Sequence, residues 1–551
     1  MGVVAGSPLL AGHGNVTQPV WHTEPGDGRC MVTSAAGSGW FVPLVALPSA
    51  QDITGAEGNS VAADVVYGNS WVIPAEIDRG LLYDAESVLV AVWNADRVNS
   101  RTLTTRTENG DGIELAMDTP QHLAPDAEAA GVLSLLADGP AEQETAILFD
   151  LGNFSIWLNI TFQRVLPFPV RHNWRDRYGY TLAFETAISR SRLADEQRRP
   201  LTNKPTRTIS MTATARGLHA QRLRNIIVGG DSRILAVPLH LEELAVVDVD
   251  ETRTVWTVAG ADLSTLWNLR RLPGMLMFLT EDGGFMRELS GVDVDNSTIT
   301  TTQPGPEGVW PVVSVAPAMC AVISRATPAA ITDELEEWSL ELAEYAGGNQ
   351  PDLTGVPELP ARIEPNADWA TRPGTALAMA RDLISYPGGT HALYSLYDRN
   401  AASIEYAVCE PRSGLFELLD LFAAARGRWR AFWHRDLVRA FTAAREHVAT
   451  EAVLDVLDNG FELTRPGDER VRLVAAGAEP VTCRIVSLSR AGGVLRLVLD
   501  SPLGVACGPG CLIYREYRAR FDMDTLTVNY AASCSGTASL RVTELIQEYD
   551  A

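Results

Sequence analysis

Three cysteines lead the residues that could do chemistry. Cys507-Gly-Pro-Gly-Cys511, with Cys534 further on, could gather three thiolates, and soft ionised sulfur is what zinc or an iron–sulfur cluster requires. The spacing is not that of a C-x-x-C knuckle, and a fourth ligand such as Cys483 has to come from elsewhere. Buried or turn cysteines at a Gly-Pro-Gly bend are the simpler reading, so no metal and no cofactor is expected. The nine histidines show no paired spacing; His172, His240 and His434 stand beside aromatic or apolar residues, as hydrogen-bonded structural histidines do. Asp248, Asp250, Glu251, Asp293 and Asp295 lack the order and central glycine of a calcium loop and read as solvated strand ends. No Walker A loop, G-x-S-x-G elbow or H-E-x-x-H motif occurs. Gly37-Ser38-Gly39 reads as a flexible turn. Trp429, Trp433, Tyr514 and Tyr517 read as core or interface anchors rather than sugar platforms. No catalytic residue is expected.

The composition bounds the partners. The formal net charge of −24 argues against a nucleic-acid-binding surface, which needs basic stripes. Lys204 is the only lysine. Seven cysteines, an odd number spread along the chain, do not form a disulfide framework and suit synthesis in a reducing compartment. No run of eighteen apolar residues is present, so no membrane span is expected. The N-terminus lacks the basic and long apolar regions of a signal peptide. The acceptor sites at Asn15, Asn153, Asn159 and Asn296 are therefore expected to go unused.

A chain of 551 residues needs several cores. Residues 1–165 read as an N-terminal β domain of short strands and turns, with Phe154–Phe162 alternating apolar and polar; 126–137 reads as a brief helix. Residues 166–346 form a second region. In it Ile209, Met211 and Ala213 mark a half-buried strand, and Leu223, Ile226 and Ile227 mark a helix that stops at Gly229-Gly230. Short strands at 254–258, 275–279, 291–294 and 298–301 read as a small β-barrel, and 338–342 as a closing strand. A linker at 347–360 carries Gly347-Gly348 and prolines 351, 357 and 360. Residues 361–551 repeat the plan: a strand at Ser403–Val408, a helix striped by Leu415, Leu418, Leu419 and Phe422, and barrel strands at 481–486 and 494–499. A closing pair follows at 525–530 and 538–542. Trp174 and Trp369, Arg177 and Arg372, Gly179 and Gly374, Leu182 and Leu377, and Ile209 and Ile404 share one offset of 195 (369 − 174). Glu341 and Glu544 are the acidic residues read at the two closing strands.

Two stretches carry a resemblance. Phe184–Arg199 with Pro205–Ile209 resembles a strand, a "glu-gln-arg" turn and a basic strand of distal tail proteins. Leu418–Asp436 resembles the helix and "arg-gly-arg … phe … asp" segment of the same proteins, and Arg520–Glu544 is similar to their C-terminal strands. These are the distal tail, or baseplate ring, proteins of long-tailed siphovirus-like phages and gene-transfer-agent-like particles. The resemblance implies a mainly β, multidomain fold: two tandem tail-tube-like β-sandwich units, each with a flanking helix and a barrel insert, after the N-terminal domain. It implies a structural virion protein at the tail tip, assembled in the bacterial host cytoplasm and joining the tail tube protein to the baseplate hub and fibre proteins. Two copies per chain imply a trimer with a pseudo-sixfold ring, or else a hexamer, through whose lumen DNA passes unbound. The ring-interface candidates are Leu223, Ile226, Ile227, Leu415, Leu418, Leu419, Phe422 and Trp429. Two alternatives are a baseplate hub, whose family can carry a cysteine-bound cluster, and a glycan-binding tail-tip protein.

Overall fold

In the computed structural model of the chain, the described residues are three short strands (20–23, 30–33 and 39–42) and most of 68–545, with brief breaks. Gly37-Ser38, residues 191–195, Gly229-Gly230 and Gly347–Gln350 lie outside them. The chain is mainly β and divides into two compact units: residues 1–168 with 230–236, and residues 169–229 with 237–551. Of the two segments expected as separate domains, all of 361–551 and all of 166–346 except 166–168 and 230–236 fall in the second unit.

The first unit holds two facing four-stranded sheets. Strands β1 (Ser70–Ile73), β3 (Glu86–Asn94), β6 (Glu128–Leu135) and β5 (Ile113–Ala116) form one, in the order β1–β3–β6–β5. Strands β4 (Thr105–Thr107), β7 (Glu142–Asp150), β8 (Ser155–Pro167) and β2 (Glu76–Leu82) form the other, in the order β4–β7–β8–β2. Val90, Val92, Leu133, Ile147, Leu158 and Ile160 belong to the core between them. The helix expected at 126–137 is instead β6. Ala129, Gly131, Leu133 and Leu135 are buried in strict alternation, and a period of two places them on one side of a strand but around a helix.

The second unit is organised by one continuous antiparallel sheet. Its first segment contributes β9 (Tyr178–Ala183), β10 (Thr206–Arg216), helix α1 (Leu218–Val228), the short helix α2 (Trp267–Arg271), β11 (Val312–Ala330) and β12 (Leu335–Glu344). Its second segment contributes β13 (Gly374–Ala378), β14 (Ala401–Pro411), helix α3 (Arg412–Ala425), β15 (Thr525–Ala532) and β16 (Ser535–Glu544). The strands run β13–β14–β16–β15–β9–β10–β12–β11. Between α1 and β12, the strands 244–249, 255–259, 298–301, 284–293 and 275–280 close a ring of pairings through the first half of β11. In the second segment, strands 453–457, 494–499, 481–491 and 470–474 pair in turn up to 512–521.

The two segments match in register. Ile209 pairs with Leu342, and Ile404 pairs with Val542. Gly179 pairs with Ser210, and Gly374 with Glu405. The Gly217 N–H bonds the Glu334 carbonyl at the start of α1, and the Arg412 N–H bonds the Cys534 carbonyl at the start of α3. The shift is 195 before the barrels and 200 (544 − 344) at the closing strands, so the second segment carries five more residues between them. A one-residue slip would turn every buried side chain of a strand outward, so a shared register over several strands is a strong form of likeness.

Candidate interface: the junction between the matched segments

Within the second unit the segments meet at β9 and β15. Six residue pairs, from Tyr178–Tyr530 to Ala183–Thr525, form an antiparallel ladder. Leu182 and Leu526 lie opposite each other and are fully buried, while the Thr181 and Thr527 hydroxyls meet at 2.9 Å on the other face. Gly179 lacks a side chain where one would collide with the Ser210 Oγ, which lets β10 close on β9 there.

Charged and polar clamps surround the ladder. The Asp524 carboxylate accepts from the Thr186 hydroxyl at 2.9 Å and from the Thr186 and Arg428 N–H groups at 3.2 and 3.0 Å. A Cβ on Gly427 would strike that same carboxylate, and Gly427 holds φ +62° at the end of α3. Arg520 is buried against Glu196 of the antiparallel pair Thr186–Arg190 and Glu196–Pro200, with bonds of 2.7 and 3.0 Å. Burial opposes the Glu196 charge, but Arg520 and Arg190 hold its carboxyl below its ordinary range. Asp420 on α3 accepts from the Trp267 indole N–H at 2.7 Å and pairs with Arg271 at 2.8 Å, both on α2. Phe184 packs on Phe422 with ring centroids 5.9 Å apart.

A second matched device lies inside each segment. Glu344 accepts the Arg207 N–H at 2.9 Å and its guanidinium at 2.6 Å; Glu544 accepts the Ala402 N–H at 3.1 Å and the Arg515 guanidinium at 2.7 Å. Residues 207 and 402 are equivalent, so the counterpart of Glu544 is Glu344. Glu341 is exposed on the sheet face and plays no such part.

The remaining sequence candidates separate. Leu415, Leu418, Leu419 and Phe422 are buried inside the chain and present no surface to another molecule. On α1, Leu223 is buried, while Ile226 and Ile227 are half-exposed. Trp429 lies in the loop after α3, stacked by Arg426 and Arg430 at 5.0 Å each, ahead of the strand that begins at Phe432. Cys507 and Cys511 are buried with Cys483 in the core beneath the strands of 453–521, and burial beside Cys511 pushes the Cys507 thiol up to about 12. Cys534 is exposed in the turn before β16. Among the described residues no three His, Cys, Asp or Glu side chains converge on a metal site. His172, His240 and His434 all hydrogen-bond to neighbours. Asp250 and Asp293 cap their own turns.

The chain matches no family model and no curated protein. The geometry stands by itself. Asp524, Arg520, Glu196 and Asp420 escaped sequence reading because each acts across more than 90 positions. Glu344 was findable: reading the second offset of 200 would have paired it with Glu544.

The face of the sheet away from the buried core is small and polar. Thr208, Ser210, Thr181, Thr527, Asn529 and Ser539 lie on it. Its arginines stand beside carboxylates across strands, Arg541 beside Glu405 and Arg325 beside Glu341, while Glu337 stands between Thr214 and Ala329.

Proposed function

We propose that the two segments are duplicated tail-tube-like β-sandwich units and that the chain is a structural virion protein forming a ring at the distal end of a phage tail. The observation that carries this reading is the β15–β9 junction. It joins one unit to its twin head to tail, and a contact of that kind closes into a ring when repeated. Three chains supply six units, matching a sixfold tail tube on one side and a threefold hub or fibre on the other. Such a protein works by geometry and carries no catalytic activity.

The polar sheet face lines the bore in this reading. A wall of hydroxyls whose arginines stand beside carboxylates offers no stripe of cations to replace counterions on phosphate, so DNA passes without adhering. The deciding experiment is the mass of the assembled particle, with class-averaged images viewed down its axis. Three chains showing six similar lobes are the expected result. A monomer at every concentration, with or without tail tube protein, would refute the ring.

A further inference from the structure

The internal junction has two unfilled counterparts at the ends of the sheet. The second half of β11 is the equivalent of β15, and β13 is the equivalent of β9; among the described residues each pairs on one side only, with β12 and β14. The positions that are covered at the junction are open at these edges. Leu182 is fully buried, whereas its equivalent Leu377 is 58% exposed. Gly179 abuts Ser210, whereas its equivalent Gly374 faces open space. Ile227, the equivalent of Phe422, is only half-buried. Exposed strand edges invite pairing, and these two are equivalent to the edges that pair at the internal junction.

The geometry points to a second copy of this chain as the occupant: β11 of one chain pairs antiparallel with β13 of the next, in the junction's register. Carrying the offsets over sets Thr327 opposite Ala376 and Ala326 opposite Leu377. The occupant rests on the ring reading; the register rests on the internal junction alone.

The same comparison makes the joint between chains the weaker of the two. Arg520 stands opposite Thr543 and Val322 opposite Ala343, so Arg520 and Glu196 are replaced by Val322 and His391 and the buried ion pair is missing; Asp420 is replaced by Asn225. Val528 is replaced by Pro328. The Ile331 N–H to Leu335 carbonyl bond fixes the alternation along β11 and β12 and puts Pro328 at a non-bonded site towards β12. Its absent N–H therefore belongs to the open edge and removes one ladder donor from the joint, as prolines on edge strands do. The ring separates into intact chains well before the internal junction yields.

The test uses the full chain with Thr327→Cys and Ala376→Cys, the equivalents of the Thr181–Thr527 pair whose hydroxyls touch. Mild copper-catalysed air oxidation should give dimers and trimers on a non-reducing gel that return to monomer with reductant. Thr181→Cys with Thr527→Cys should crosslink within one chain, and Thr327→Cys with Thr375→Cys should link poorly. Pro328→Val should shift the monomer–oligomer equilibrium several-fold towards oligomer in sedimentation. Rings in images together with crosslinks only in the off-register pair would overturn this inference and leave the ring reading standing. Monomers without crosslinks at all concentrations would overturn both.

Discussion

Helices α1 and α3 begin within one residue of equivalent positions and meet different surroundings. On α3, Leu415, Phe416, Leu418, Leu419, Phe422 and Ala423–Ala425 are buried; on α1 only Ala220 and Leu223 are. The apolar content follows the exposure: α3 reads Leu-Phe-Glu-Leu-Leu-Asp-Leu-Phe, whereas α1 interleaves Gln221, Arg222, Arg224 and Asn225. One helix is a permanent part of an interior and the other carries a surface that must stand in water. The difference teaches that a duplicated unit can keep its backbone register while its side chains record which contacts are covalently guaranteed. It also explains why charged clamps gather at the β9–β15 junction. A buried pair removed from water must be held in good geometry to be tolerated, and a joint inside one chain provides that at all times.

The sharpest break of the comparison is at the two closing glutamates. Glu344→Ala removes the carboxylate that holds the buried Arg207 guanidinium at 2.6 Å and should cost about 3–5 kcal/mol in denaturant unfolding of the full chain. Glu544→Ala should cost less, because Arg515 is partly exposed and keeps Glu469 at 3.0 Å. Equal losses would show that the two sites are not organised differently. Next comes Leu182→Ala, which truncates a buried side chain and should cost about 2–5 kcal/mol, against less than about 0.5 kcal/mol for Leu377→Ala in dilute monomer. A large loss for Leu377→Ala in monomer would mean that the β13 edge is covered within the chain.

A pH effect sharpens the picture of the second segment. Burial, then the neighbouring Arg435, depresses His434 from 6.5 to about 3, so the folded chain keeps it neutral. The unfolded chain binds a proton there first as pH falls, so this contribution is whole above about pH 6.5 and is lost between there and about pH 3. His434→Gln should flatten the loss of stability between pH 6.5 and 4, measured by chemical denaturation. An unchanged slope would show that other groups dominate acid sensitivity. The smallest effect is expected for Asp293→Asn. It weakens only an exposed turn cap to Asn296 and should leave the denaturation midpoint nearly unchanged.

Much of the β architecture was legible because alternation reports a sheet face directly. The strands around Ile209, Trp338, Ile404 and Leu540 were readable in this way, and so was the helix stripe of Leu415, Leu418, Leu419 and Phe422. The region 126–137 misled because alanine and glycine suit either period until their neighbours are known. The aromatic run Trp429–Trp433 has the look of a strand, yet Trp429 lies in a loop, because the Trp429 and Arg430 N–H groups bond back to the Arg426 and Ala425 carbonyls at the end of α3. Cys507, Cys511 and Cys534 read as one thiol group, yet the core beneath the strands of 453–521 buries two of them and the turn before β16 exposes the third.

By itself the sequence determined the periodicity of the strands, the two helices and the offset of 195 that relates the segments, since these depend on neighbours along the chain. Only the tertiary structure decided that β15 joins β9, that Arg520 meets Glu196, and that β11 and β13 are left as edges. Those contacts span tens to hundreds of residues. No local pattern encodes which of two equivalent strands will be covered.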